Sequence, residues 1–471
     1  MHSIRTERSW RELQTGYIQQ KKKQAMAGRI RHMAVFLCLG IAAVALLWFG
    51  ARTASEIGER LFSPKQNKVQ SDPTPSNHLK KSEVKTLIQN IDILNSKTNI
   101  FFADGPSWTY TIHTQLDTRL QAKLIRTLNY LKTLDRGKPE LIGMVAMDGR
   151  TGFIKAMAGF DPGNPAANPC TSAGYPAASI FKIVTASAAV EELNYTATTP
   201  LYFNGRKYTL YKRQLTNQKT KYTNRVTLET AFSESINPVF GKLGKLALGK
   251  TVLSNFAEKF GFNQNPDTDF DFPVPRFAVI GNDYHLAELG CGFNRDTLIS
   301  PVFAMTMVSA MMNKGQSLVP RLVDRISDAD QNEIYKSTKE VYKTPISPKT
   351  AATMQRLMKK TISGGTARKS FRGYSRDNVL SNLVIGGKTG SLSNRAHTIK
   401  YDWFTGFGQQ KKTKETLIVA VVVGHGKYIG TRACAHAKNM LKTYFNTPIP
   451  QKSSLAENYR QNSGNKATKR L

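Results

Sequence analysis

Hydrophobic and polar positions divide the 471-residue chain into stretches of different periodicity. Residues Met33 to Ala51, MAVFLCLGIAAVALLWFGA, form one uncharged apolar run. A helix of that length, rising about 1.5 Å per residue, comes close to a ~30 Å hydrocarbon core, which predicts a single transmembrane helix. A polar, proline-bearing stretch from Phe62 to Ser82 reads as a stem, with one helix expected within Glu83 to Leu94. Farther on, Ile142 to Asp148 and Gly152 to Ala158 flank a short polar turn and predict a strand pair. Helical spacing dominates from Ala178 to about Met312. Leu383 to Gly387, Asp402 to Gly408 and Leu417 to Val423 read as strands, and Arg432 to Tyr444 as a closing helix. Strands at both ends with helices between them place the chain in the α+β class, its terminal segments meeting in one antiparallel sheet.

Charge adds an orientation. The chain holds 67 Lys plus Arg against 33 Asp plus Glu, a formal +34. Ahead of the apolar run stand eight Lys and Arg against Glu7 and Glu12, a local +6 that predicts a cytoplasmic N-terminus and an exported remainder. Five parts are therefore expected: residues 1–32, a cytoplasmic basic segment; 33–51, the anchor; 52–108, the stem; 109–448, one large domain; and 449–471, a disordered basic tail. The remaining +28 faces the envelope, so an anionic surface there replaces nucleic acid as the expected partner; no nucleic-acid-binding motif occurs. Four cysteines exclude a disulfide scaffold, and the exported three, Cys170, Cys291 and Cys434, allow one intramolecular pair at most.

Candidate chemistry lies in three short motifs. Ser179-Ile-Phe-Lys182 precedes the apolar segment Ile183 to Val190. If Ser179 opens a helix, Lys182 lies one turn on and on the same face. A serine hydroxyl needs a neighbouring base to become a nucleophile, and a lysine whose pKa is lowered by burial or nearby positive charge can be that base. Alone the pattern is weak, because Ser82-Glu-Val-Lys85 repeats it in the stem and a helix-capping serine would look the same. Ser235-Ile-Asn237 adds a hydroxyl able to relay a proton and an amide with both donor and acceptor; the spacing recurs as Ser463-Gly-Asn465 in the tail. Gly386-Gly-Lys-Thr-Gly-Ser391 places Lys388 at a strand end between glycines. Its Gly-Lys-Thr triplet is not a phosphate loop, since Asn382 stands where that loop needs a second glycine. His425, in Val423-Gly-His-Gly426, reads as a strand-end residue.

The motifs gain specificity from their order. Ser-x-x-Lys, Ser-x-Asn and Lys-Thr-Gly in sequence are the signature of penicillin-binding proteins and serine β-lactamases. From about Tyr110 to Lys442 the chain resembles the penicillin-binding protein transpeptidase domain. Thr111 to Gln121, Gly290 to Pro320, Gly364-Gly-Thr-Ala367 and Trp403-Phe-Thr-Gly-Phe407 are similar to further blocks of that family.

The resemblance implies an antiparallel five-stranded sheet flanked by helices, with an all-helical subdomain. It implies that Ser179 attacks a D-Ala–D-Ala stem peptide, releasing D-Ala and leaving an acyl-enzyme. Lys182 would be the base, and Ser235 with Lys388 would pass the proton to the leaving amine. Asn237 would hold the substrate amide, with Lys388 and Thr389 at its carboxylate. Gly390 of the same motif would be a further substrate-binding residue, and Ser391, with Ser179, would supply oxyanion-hole N–H groups. No metal or organic cofactor is implied. The implied partners are peptidoglycan stem peptides, β-lactam antibiotics, the membrane through the single-pass anchor, and other wall-synthesis proteins such as a glycan polymerase. The implied location is the bacterial cytoplasmic membrane, with the domain outside the cytoplasm (the periplasmic face in a Gram-negative cell).

Two departures stand out. Ala177-Ala178 precedes the nucleophile where many members carry Pro-Gly, and only Arg52 to Trp108 separates anchor from domain, too little for a glycosyltransferase module or a large pedestal. A D,D-carboxypeptidase or endopeptidase, a β-lactamase and a non-enzymatic β-lactam sensor or scaffold are the alternatives. Against the β-lactamase, the glutamate motif associated with class A enzymes is not evident.

Overall fold

The computed structural model describes residues 78–105, 109–279, 281 and 283–446. The basic segment, the expected anchor at 33–51 and the tail at 449–471 lie outside the described residues, among which no helix is long and apolar enough to cross a membrane.

In chain order the main strands are β1 (Ile100–Asp104), β2 (Thr109–Thr114), β3 (Pro139–Asp148), β4 (Ile154–Phe160), β5 (Val323–Ser327), β6 (Glu333–Lys336), β7 (Leu383–Ser393), β8 (Lys400–Gln410) and β9 (Thr416–His425). The main helices are α1 (Lys81–Ile88), α2 (Thr118–Lys132), α3 (Lys182–Glu192), α4 (Leu228–Ser233), α5 (Asn237–Lys242), α6 (Asp283–Cys291), α7 (Pro301–Met312), α8 (Pro348–Ser363) and α9 (Ala433–Phe445).

A five-stranded antiparallel sheet of order β7-β8-β9-β3-β4 organises the domain. Every residue of β9 is buried, because helices cover both faces of the sheet. Leu417, Val419, Val421 and Val423 share one core with Leu120, Leu124, Leu128 and Leu131 of α2 and with Ala437, Met440 and Leu441 of α9. Ile418, Ala420 and Val422 belong to the opposite core, with α7. Two covered faces explain why β9 reads as a continuous apolar run rather than an alternating one. Spacing of three and four residues makes the four leucines of α2 one stripe, and Asp117 caps its start by accepting from the Arg119 and Leu120 N–H groups at 3.0 Å each. α7 is apolar all round and nearly wholly buried, as a helix between the sheet and other helices must be.

Three expectations change. Residues from Lys81 to Asp104, read as stem, belong to the folded domain. α1 buries Val84 and Ile88, Leu79 N–H donates to Ile334 C=O at 2.8 Å, and β1 pairs with β2 in a second sheet of order β1-β2-β5-β6. Polar composition hid this, because α1 buries only one narrow face. The region between Ala178 and Met312 is not purely helical, since Pro200–Phe203 pairs antiparallel with Asn224–Thr227. The strand expected to end at Gly387 runs on to Ser393. Glycines in a strand signal a break, but here aromatic rings of β8 take the space: a Cβ on Gly387 would lie 2.3 Å from the Phe404 ring.

Candidate active site

The backbone before Ser179 is held from several sides. Trp403 Nε1 donates to Pro176 C=O at 2.9 Å, and Ala177 N–H donates to Thr297 C=O at 2.8 Å. Ala178 takes a left-handed conformation (φ 49°), which costs a residue with a Cβ about 1–2 kcal/mol. That is the position where a glycine is common in the family the sequence resembles. Its carbonyl is pressed against Gly292 (φ 72°), where a Cβ would come within 1.9 Å of the Ala178 oxygen. Ala178 to Phe181 form a 3-10 turn running directly into α3. Ser179 therefore lies in the turn ahead of the α-helix, rather than opening that helix itself, and Lys182 follows on the same face.

Lys182 is fully buried, and its Nζ lies 2.7 Å from Ser179 Oγ, 2.8 Å from Asn237 Oδ1 and 2.6 Å from Cys291 O. Two of these neighbours are carbonyl oxygens and can only accept. A neutral amine satisfies them with its two N–H groups and points its lone pair at the Ser179 hydroxyl. Burial lowers Lys182 from 10.5 to about 8, so this neutral form is accessible near neutrality.

The second motif sits between α4 and α5. Ser235 is also left-handed (φ 57°), and Pro238 fits the first turn of α5, where its missing N–H has no helical partner to lose. The turn aims Ser235 at the third motif: Lys388 Nζ donates to Ser235 Oγ at 3.0 Å and to Thr389 C=O at 2.8 Å. Lys388 is fully buried and lies far below the usual lysine range, first through burial and then through the positive charge of Lys182. Phenyl rings wall in both amines, Phe240 with its centroid 5.6 Å from Lys182 and Phe232 with its centroid 5.5 Å from Lys388. Among the described residues neither lysine has a carboxylate within 4 Å, so nothing offsets the burial of either charge.

β7 is the edge strand of the sheet, and it lies beside the turn that carries Ser179. A Cβ on Gly390 would sit 3.3 Å from Ile180 Cγ1 and 3.4 Å from Ala177 O, so a side chain there would crowd that turn. Ser391 is exposed on the same strand and Thr389 is half-buried. The structure thus brings these residues together as two hydrogen-bonded groups, Ser179–Lys182–Asn237 and Ser235–Lys388, close enough for the charge of Lys182 to act on Lys388, with Thr389, Gly390 and Ser391 on the strand beside them.

Several contributors escaped the sequence. Cys291 acts through its carbonyl, and Tyr208 through its C=O, which accepts from Asn237 Nδ2 at 3.0 Å. Backbone acceptors leave no mark in residue type. Thr366 lies within a quoted block: its N–H donates to Ser233 C=O at 3.0 Å and its hydroxyl lies 2.6 Å from that of Thr389, tying the second motif to the third. The decoys behave differently. Lys85 pairs with Asp271 at 3.2 Å, the Ser463 motif lies outside the described residues, and the Gly-Lys-Thr segment is strand rather than loop. His425 is buried away from the cluster, 3.8 Å from Asp402, and its Nδ1 accepts from Gly430 N–H at 3.3 Å. All three described cysteines are free and buried, and burial pushes the thiols of Cys170, Cys291 and Cys434 up to about 12, 11 and 12.

The family model described as "Penicillin binding protein transpeptidase domain" matches residues 142–442. A peptidoglycan D,D-transpeptidase PbpA from Mycolicibacterium smegmatis is 25% identical over 283 residues, covering 56% of this chain and 53% of that protein. The chain thus spans about half the length of the curated relatives it matches. Among solved structures, PBPA from Mycobacterium tuberculosis superposes with a TM-score of 0.58 at 20% identity, covering 70% of this chain and 81% of the other. The penicillin G acyl-enzyme complex of penicillin-binding protein A from the same organism gives 0.56 at 22% identity, with 71% and 80% covered.

Proposed function

This chain belongs to the penicillin-binding protein transpeptidase domain family, and from that premise we propose that it is a peptidoglycan D,D-transpeptidase working through a Ser179 acyl-enzyme. One observation carries the reading: two buried lysines without carboxylate partners meet two serine hydroxyls, Lys182 at Ser179 and Lys388 at Ser235. Uncompensated burial lowers an amine's pKa and leaves it neutral and able to take up a proton, which is what a serine nucleophile requires of its base.

In this reading Lys182 takes the Ser179 proton as Oγ attacks the penultimate D-Ala carbonyl. The Oγ–C bond forms, the peptide C–N bond breaks, and the departing D-Ala amine receives its proton through Ser235 and Lys388. The amine of a neighbouring stem peptide then attacks the ester, returning Ser179 to its hydroxyl form. Asn237 already spends its carbonyl on Lys182 and one N–H on Tyr208, which leaves a second N–H for the substrate amide. Lys388, Thr389 and the open edge of β7 suit a C-terminal carboxylate on an extended peptide. A β-lactam, whose ring amide mimics that peptide, acylates the same oxygen. The uncharged run at 33–51 and the +6 ahead of it support a single-pass anchor with this domain outside the cytoplasm, where other wall-synthesis proteins such as a glycan polymerase would be partners.

The test is acylation by a fluorescent penicillin, which labels the native chain and leaves Ser179→Ala unlabelled. Labelling of Ser179→Ala would remove Ser179 as nucleophile. A D-Ala–D-Ala peptide supplied with and without an acceptor amine then separates cross-linking from hydrolysis, and rapid nitrocefin turnover would point to a β-lactamase instead.

A further inference from the structure

Between the paired strands Pro200–Phe203 and Asn224–Thr227 runs a twenty-residue loop, 204–223, holding six Lys and Arg, three Tyr and no Asp or Glu. The mechanism uses only its backbone. We propose that this loop is the docking surface for the peptidoglycan strand to which the reacting stem peptide belongs, a sugar polymer whose neighbouring stem peptides carry carboxylates; the inference rests on the enzymatic reading above and names which part of that substrate binds where.

Its position is the first argument. Ser179 Oγ leads to Lys182 Nζ, then to Asn237 Oδ1, and Asn237 Nδ2 to Tyr208 O, in steps of 2.7, 2.8 and 3.0 Å. Asn237 N–H also donates to Lys207 C=O at 2.7 Å. Whatever binds the loop is therefore held beside the nucleophile, and a stem peptide reaching Ser179 must bring its glycan with it.

The loop's chemistry is the second. Tyr208, Tyr211 and Tyr222 are 63%, 53% and 75% exposed, three aromatic rings open to solvent on one loop. Aromatic faces stack on the C–H faces of sugar rings, and tyrosine adds a hydroxyl for polar contacts. Of the six cations only Lys207 has a carboxylate, that of Glu234, within 4 Å among the described residues. Arg213 and Lys221 lie instead near the rings of Tyr211 and Tyr222, 5.4 and 5.1 Å from their centroids, so two of the three exposed rings sit beside a cation free to meet a carboxylate.

The loop is also built rather than loose. Gln214 is buried and holds it from within, its Nε2 donating to Asn204 O at 2.8 Å and its Oε1 accepting from Tyr211 N–H at 2.9 Å. Leu210 and Leu215 are buried and pack over Gly241 of α5. A surface held in shape loses less entropy on binding. At its base opens a cleft of about 260 Å³ lined by Lys212, Leu215, Lys245, Asp283 and Tyr284.

The test uses the full chain in detergent and purified bacterial sacculi as probe. One variant is Tyr211→Ala/Tyr222→Ala; the other is Lys212→Gln/Arg213→Gln/Lys219→Gln/Lys221→Gln. Each is expected to bind sacculi at least roughly tenfold more weakly, and the charge variant to lose most of the salt dependence. Acylation by fluorescent penicillin should stay within about twofold of the native rate, since the loop meets Asn237 through the backbone carbonyls of Lys207 and Tyr208, which these substitutions keep. Unchanged sedimentation with intact acylation overturns the inference alone, as does a loss confined to DNA or to phosphatidylglycerol vesicles. Failure of the native chain to be acylated overturns the enzymatic reading first, and this inference with it.

Discussion

The neutral amine at Lys182 makes a pH experiment decisive. An ordinary lysine at 10.5 would be unprotonated in roughly three molecules in ten thousand at pH 7, whereas one at about 8 is unprotonated in roughly one in ten. The difference is worth about 3 kcal/mol and comes from burial, with no carboxylate to oppose it. The second-order rate constant for acylation by benzylpenicillin, measured from pH 5.5 to 10 at fixed ionic strength, should therefore rise about tenfold per pH unit at first. It should bend near pH 8 and level off above. Stability has a matching signature. Lys182 is depressed in the folded state, so between about 8 and 10.5 the unfolded chain binds more protons and stability rises with pH; below 8 the full penalty is present. Lys182→Met should lose both the acylation and that rise. An acylation rate flat between pH 6 and 9, or one still climbing without a bend at pH 10, would refute Lys182 as a base tuned by burial.

Two further substitutions probe the frame. Gly292→Ala places a Cβ 1.9 Å from Ala178 O at a φ of 72°; it should cost about 2–4 kcal/mol in urea unfolding and reduce penicillin labelling by at least ~100-fold by displacing the turn that carries Ser179. Asp402, opposite Ser391 across the β7–β8 pair, accepts from Arg432 at 2.7 and 2.9 Å and from Ala433 N–H at 2.8 Å. Burial pushes its carboxyl up, but His425, Arg432 and the Ala433 N–H outweigh it and hold the carboxyl below 3.8, so its contribution is present above pH 3.8 and lost as pH falls lower. Asp402→Asn should cost about 2–3 kcal/mol at pH 7 and flatten the acid limb of the stability curve.

The central sheet was legible because its strands announce themselves. Leu417 to Val423 is apolar on both faces, and Ile142 to Asp148 nearly so. The second sheet was not, because β2 meets β5 through pairs such as Ile112 with Ile326, more than two hundred residues apart, and β1 is largely exposed. Local pattern carries no such pairing. The site divides the same way. Ser179, Lys182, Ser235, Asn237 and Lys388 were visible as side chains in order, whereas the carbonyls of Cys291 and Tyr208 that orient Lys182 and Asn237 have no signature of their own.

Total charge proved the poorest guide to the chemistry. Of 67 Lys and Arg in the chain, Lys182 and Lys388 are the two whose side chains are fully buried among the described residues, and Arg321 is the only other buried cation there. The exposed majority are bathed in water; a lysine acting as a base needs the reverse. Lys85 makes the contrast within one spacing. It stands three residues after Ser82, as Lys182 stands after Ser179, yet Asp271 lies 3.2 Å away and solvent reaches it. Its ammonium is satisfied by that carboxylate and by water. What separates Ser179 and Lys182 from Ser82 and Lys85 is the withdrawal of water and carboxylate from an amine that has been left carbonyl acceptors, and folding supplies that difference to two identical spacings.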